Sequence, residues 1–282
     1  MGASETLSTG IPGLDEILHG GLDPGSLCLV EGTSGAGKTN LGLHFALEGT
    51  RRGEAVLYLT LGETKRELEA LAHSHEWDPT GLEIVESVRI DSPSSLFHPA
   101  EVELDEIIKL IETQVERIGP SRVVVDSLAE IRLLAQNQLR FRTALSRLKE
   151  FFGRHEATVL LLGEPTEDIS SRSLVGGVIA LEHRARAYGT DHRLLRVVKL
   201  RGRAYASGYH DFLIMKGGLR VFPRLFTSEH RIGSDFALLP SDVPGLDDLL
   251  GGGVRRGTST LLLGAAGTGK SSIALHFATA AA

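Results

Sequence analysis

The chain has 282 residues, 41% of them hydrophobic, enough to bury a full α/β core and begin a second domain. Its formal net charge of −6 argues against a broad nucleic-acid-binding surface, and its single cysteine rules out an internal disulfide framework. No apolar run reaches membrane-spanning length and the first residues are polar, so a cytosolic protein without a membrane partner is expected.

Ser26–Val30 is a short apolar run of strand type. It leads into Gly32-Thr33-Ser34-Gly35-Ala36-Gly37-Lys38-Thr39, which fits G-x-x-x-x-G-K-[ST]. Leu41, Leu43, Phe45, Ala46 and Leu47 then give a helix. Strand, glycine loop and helix form a phosphate cradle. The glycines let backbone N–H groups turn inward around an anion, and the helix N-terminus adds partial positive charge. Lys38 would reach the β/γ-phosphates and the Thr39 hydroxyl would hold Mg²⁺.

Ala55–Thr60 reads as a strand, 64–75 as a helix and Leu82–Val88 as a short strand. Residues 101–118 form an amphipathic helix closed by Gly119-Pro120. Arg122–Asp126 is a buried strand, 140–155 a helix and Thr158–Leu162 another strand. This alternation predicts an α/β fold, a mostly parallel sheet with helices on both faces. Val178–His183, Arg193–Leu200, Phe212–Met215 and Leu219–Phe222 are short strands separated by turns such as Tyr188-Gly189-Thr190-Asp191. They predict antiparallel hairpins extending the sheet at its C-terminal side.

A repeat organises the whole chain. Ile11–Leu18 recurs at Val243–Leu250, and the register holds through Gly264–Ser271, a second G-x-x-x-x-G-K-[ST], to His276-Phe277-Ala278. Residues 1–227 are therefore expected to form one whole domain, and 228–282 a linker with the opening segment of a second, truncated one.

Candidate site residues follow from strand ends, where ligands of a parallel sheet sit. Asp126 follows three valines and is placed to hold Mg²⁺ or to cap the next helix. Glu63 is positioned to orient or deprotonate an attacking water, or to serve as a first-turn helix carboxylate. Lys199 and Arg201 alternate onto one face, either as a phosphate clamp or as a solvated edge.

Thr9–Asp15, Gly20-Gly21, the phosphate loop, Trp77-Asp78, Asp126-Ser127 and Lys199-Leu200-Arg201-Gly202 together resemble the KaiC-like circadian clock ATPases of the RecA superfamily, over nearly all of 7–225. The resemblance implies a RecA-like P-loop fold and a hexameric ring with ATP and Mg²⁺ at subunit interfaces. It places Thr33, Ser34, Gly35, Ala36, Gly37, Lys38, Thr39, Asn40 and Ser74 at the nucleotide. Lys199, Leu200 and Arg201 would reach a neighbour's γ-phosphate. Signalling or clock proteins are the implied partners. RadA-like recombinases share the opening motif but usually carry a zinc finger, and this chain has no cysteine cluster.

The family carries two adjacent glutamates after the second strand, and here the first position is Gly62. A second reading follows, a nucleotide-gated assembly module with little turnover. The family's histidine after K-L-R-G is Tyr205, and the hairpin turn carries Met215-Lys216, which loosens the expected base contacts and the choice of ATP over GTP.

Overall fold

A computed structural model describes residues 6–87, 100–165, 169–185, 188–189, 191–224 and 237–281. The chain divides into two compact units, Met1–Arg224 and Leu225–Ala282.

The first unit is built on a nine-stranded sheet. Its elements in chain order are α1 (Leu14–Ile17), β1 (Leu27–Gly32), α2 (Lys38–Arg51), β2 (Val56–Thr60), α3 (Lys65–Ser74), β3 (Glu83–Glu86), α4 (Ala100–Ile118), β4 (Arg122–Asp126), α5 (Leu128–Ala135), α6 (Gln138–Arg154), β5 (Thr158–Gly163), α7 (Ile169–Leu174), β6 (Gly177–Arg184), β7 (His192–Leu200), β8 (His210–Met215) and β9 (Gly218–Phe222). The strand order is β3-β2-β4-β5-β1-β6-β7-β8-β9. The first six pair in parallel; β6–β7, β7–β8 and β8–β9 are antiparallel. The expected architecture is the observed one. Of the turn expected at Tyr188–Asp191, Thr190 lies outside the described residues, as does Val88 of the third strand.

The reason is visible in the strands. Every residue of β1, β2, β4 and β5 is buried, as apolar runs covered on both faces must be. Alternation then sends side chains to two cores. Cys28 and Val30 join α1, α2 and α3 on one face; Leu27 and Leu29 join α4, α5 and α6 on the other. Helix α3 begins with a capping box, Thr64 and Glu67 each bonding the other's backbone N–H, and His75 is its C-cap, so the expected ends are caps. Three short helices, α1, α5 and α7, are additions to the reading above.

Buried polar groups tie these layers together. Arg122, fully buried at the start of β4, donates to both Glu54 carboxylate oxygens, at 2.6 and 2.9 Å. Glu31 on β1, 3% exposed, pairs with Arg172 of α7.

His44 on α2 packs against the Trp77 ring at 5.0 Å, and its buried Nδ1 makes no hydrogen bond among the described residues. Burial pushes its pKa from 6.5 down to about 4. Between those values the unfolded chain binds a proton that the folded chain refuses, so stability should fall as pH drops from 6.5 toward 4. Substituting His44→Phe, which keeps the ring contact, should flatten that part of the curve of melting temperature against pH. An unchanged slope would assign the acid sensitivity to other groups.

The second unit contains β10 (Leu238–Leu239), α8 (Pro244–Leu249), β11 (Val254–Arg255) and α9 (Lys270–Ala280). It repeats details of the first. Ser241 donates its backbone N–H and hydroxyl to Asp247 Oδ1, as Thr9 does to Asp15 Oδ1. Lys270 Nζ bonds the Gly264 and Ala265 carbonyls, as Lys38 bonds those of Gly32 and Thr33.

Candidate phosphate and metal site

The phosphate loop joins the C-terminal end of β1 to the first residue of α2. Gly35 and Gly37 take φ of 73° and 105°, the left-handed region that suits glycine and lets the loop curl around a small centre. At Gly37 the space is closed as well. A Cβ there would lie 2.8 Å from Ile214 Cδ1 of β8. Arg193 of β7 donates to the Gly35 carbonyl at 2.7 Å, so the antiparallel strands brace the loop from outside.

Lys38 Nζ donates to the carbonyls of Gly32 and Thr33, at 2.7 and 3.1 Å. Burial lowers its pKa; Asp126, Glu164 and Glu63, in that order, push it back up. Three carboxylates therefore face this ammonium from three strand ends, those of β4, β5 and β2.

Asp126 ends β4 and is 8% exposed. Thr39 Oγ1 donates to its Oδ2 at 2.9 Å, and the buried Tyr58 hydroxyl donates to the same oxygen at 2.8 Å. Burial raises the Asp126 pKa, while Tyr58, Thr39 and the Lys38 charge hold it down. Tyr58 is itself pushed well above 10.0 by burial and the neighbouring carboxylate, so it stays a donor. Glu63 is raised by desolvation first and by Asp126 and Glu67 after that, and Lys38 opposes the shift.

These residues fit a divalent cation and a phosphate chain. A hydroxyl and a carboxylate within hydrogen-bond reach are hard oxygen donors suited to Mg²⁺. The glycine loop is the anion cradle beside them. Asn40 Oδ1, on the first turn of α2, is buried without a hydrogen-bond partner among the described residues.

The expected residues do not all meet here. Lys38, Thr39, Asp126 and Glu63 do. Thr33, Ser34, Gly35, Ala36, Gly37 and Asn40 belong to the loop and the start of α2. Ser74 at the end of α3 bonds the Leu71 carbonyl of its own helix. Lys199, Leu200 and Arg201 lie at the opposite end of the strands. Gly32 pairs with Leu181 of β6, whereas Leu200 of β7 pairs with Gly177. Four residues of strand put about 13 Å between the two ends. Lys199 donates to the carbonyls of Arg172 and Val175, and Arg201 to that of Ser173. They share a face, as alternation predicts, and within their own chain they cap the end of α7.

Tyr58, Arg193 and Glu164 are the members that reading the sequence passed over. Tyr58 stands inside an apolar strand, where a phenol reads as core. Arg193 meets the loop across 158 residues of sequence. A cavity of about 280 Å³ also opens on the α5 side of the sheet, bordered by Leu29, Leu128, Arg132, Gly163, Glu164 and Ser171. The phosphate loop turns into α2 on the other face.

Known proteins resemble this chain in sequence and fold. The family model for the KaiC ATPase matches residues 7–225 and again 239–282. The circadian clock protein KaiC2 of Synechocystis sp. is 30% identical over 286 residues, 96% of this chain and 50% of that protein. The circadian clock oscillator protein KaiC of Synechococcus elongatus is 28% identical over 282 residues, 96% of this chain and 54% of that protein. The chain thus spans about half the length of the curated relatives it matches. A KaiC-like protein of the archaeon Pyrococcus horikoshii superposes with a TM-score of 0.67, covering 78% of this chain and all of that one at 24% identity, which speaks to the fold. No described helix is long and apolar enough to cross a membrane. With both phosphate loops inside the matched segments and the first set beside its strand-end carboxylates, the chain belongs to the KaiC ATPase family.

Proposed function

We propose that the chain binds and hydrolyses ATP with Mg²⁺, as a cytoplasmic subunit of a hexameric ring with nucleotide at the subunit interfaces. The hydrogen bond from Thr39 to Asp126 carries the reading, because it joins the loop hydroxyl and the strand-end carboxylate into one pair of metal ligands. Mg²⁺ held there would neutralise charge on the β- and γ-phosphates. Lys38 would exchange its loop carbonyls for phosphate oxygens, and Glu63 would orient the attacking water. Ser74 and Asn40 would contact the nucleotide. Lys199, Leu200 and Arg201 would serve the neighbour's site, since they stand about 13 Å from their own loop. The second unit is read as the opening segment of another domain of the same family. Signalling or clock proteins, rather than nucleic acid, are the partners proposed.

Lys38→Ala tests the site. It removes one charge-assisted phosphate contact worth about 1.5–3 kcal/mol, so ATP affinity should fall roughly tenfold to a hundredfold. Titration with a fluorescent nucleotide measures this; wild-type affinity in the variant would remove Lys38 from the site.

Gly62 favours a second reading, a nucleotide-gated assembly module that turns over little. Phosphate release measured together with mass in solution, in ATP and in ADP, separates the two. Steady release supports the enzyme. A change of mass without release supports the module.

A further inference from the structure

Hydrolysis needs a group that takes a proton from the attacking water, and the strand-end carboxylates differ in their freedom to do so. Asp126 already accepts from Thr39 and Tyr58 on one oxygen. Glu63 is exposed, and its main chain is fixed by Thr60, whose hydroxyl donates to the Glu63 carbonyl at 2.6 Å and accepts from its N–H at 3.0 Å. A third carboxylate comes from elsewhere. The Leu61 N–H donates to the Asp126 carbonyl at 2.6 Å, which lays the turn after β2 along the end of β4. Helix α5 starts two residues past Asp126, and Glu130 in its first turn is half-buried. A Cβ built on Gly62 would have Glu130 Oε1 as its nearest neighbour, at 4.0 Å. The carboxyl of a glutamate at 62 would begin one methylene beyond that Cβ. A side chain at 62 and the helix carboxylate thus share one space at the end of β4.

We propose that Glu130, from the first turn of α5, occupies the place left by Gly62 and orients and deprotonates the attacking water. The inference rests on the ATPase reading above. In the step, the water oxygen bonds to the γ-phosphorus and the bond from that phosphorus to the bridging oxygen breaks. ADP leaves with the electron pair, and the water proton passes to the Glu130 carboxylate. A carboxylate on a helix is held more firmly than one on the exposed turn that carries Glu63, and firm placement is what water orientation requires. Glu130 thereby takes the water-orienting role given above to Glu63, and Glu63 acts through its field on Lys38 and Asp126.

The full-length chain with Mg²⁺ and ATP provides the test. Glu130→Gln should lower phosphate release by about 10²-fold or more, with unchanged affinity for ADP and unchanged melting temperature. The exchange Gly62→Glu with Glu130→Ala should recover turnover, because Gly62 has an ordinary φ and open space and so accepts a side chain. A parallel loss of affinity or melting temperature in Glu130→Gln, or an inactive exchange variant beside an active Gly62→Glu single variant, would make Glu130 structural and overturn the proposal. Wild-type turnover in Glu130→Gln overturns this inference alone. Absence of turnover in the unaltered protein overturns it together with the reading on which it rests.

Discussion

Arg201→Ala in every subunit should lower ATP turnover by about 10³-fold or more while leaving nucleotide affinity nearly intact. A cation that meets the γ-phosphate only as charge develops there stabilises the transition state more than the bound substrate. The pairing of β1 with β6 and of β6 with β7 keeps Arg201 at the end of the strands remote from its own phosphate loop. On the proposed reading its effect acts on another subunit. Mixing supplies the decisive comparison. Lys38→Ala subunits lack the loop lysine but keep Arg201, and Arg201→Ala subunits are the converse. Each should be nearly inactive alone, and co-assembled they should regain part of the activity at mixed interfaces. Arg201 also donates to the Ser173 carbonyl, and loss of that bond costs roughly 1 kcal/mol. A melting curve separates this structural cost from the kinetic one. Wild-type hydrolysis by purified Arg201→Ala, or no recovery on mixing, would end the trans assignment.

The largest effect on stability is expected from Arg122→Ala, a loss of about 3–5 kcal/mol in denaturant unfolding. The guanidinium is fully buried and sits 4.8 Å from the centroid of the Phe45 ring. It donates to Glu54, to the Ser8 carbonyl and to the Phe45 carbonyl. One side chain thus links the N-terminal segment, α2 and β4. Truncation strands all of these acceptors and opens a cavity behind them. Arg122→Met refills the volume and should cost less than alanine, though it still leaves Glu54 without its partner. The pair also sets an acid limit. Hydrogen bonds from Arg122 hold the Glu54 pKa below its ordinary 4.5, so its contribution is complete above that value and is lost as pH falls through the lower folded one. In Arg122→Met that acid loss should disappear from the stability curve. An alanine variant as stable as the parent would show that the network contributes nothing net.

Much of the fold was legible because its signals are local. Apolar runs such as Val123–Val125 and Leu160–Leu162 can only be central strands, and Gly119-Pro120 ends a helix by its own chemistry. The shorter helices α5 and α7 carry too few turns to show a period and depend on tertiary packing. At the site, Lys38, Thr39 and Asp126 were legible because one motif and one strand end specify them. Tyr58, Arg193 and Glu164 were not. Each acquires its place through pairing between segments far apart in sequence, and no local pattern records that a phenol of β2 will meet a carboxylate of β4. Lys199 and Arg201 show the same limit. Alternation put them on one face, and only the sheet register shows that this face lies away from their own loop.

The duplicated loop separates two kinds of information. Lys270 takes up the same carbonyl bonds as Lys38 in a unit whose described strands are two residues long each. The conformation of a phosphate loop is therefore written in its own eight residues and travels with them wherever they are copied. The ability to place a metal would be written elsewhere, in the hydrogen bond that Thr39 donates to Asp126 across 87 positions of chain. A census of such loops by motif counts copies of the first kind of information. Counting working engines requires asking, for each loop, which distant strand answers it.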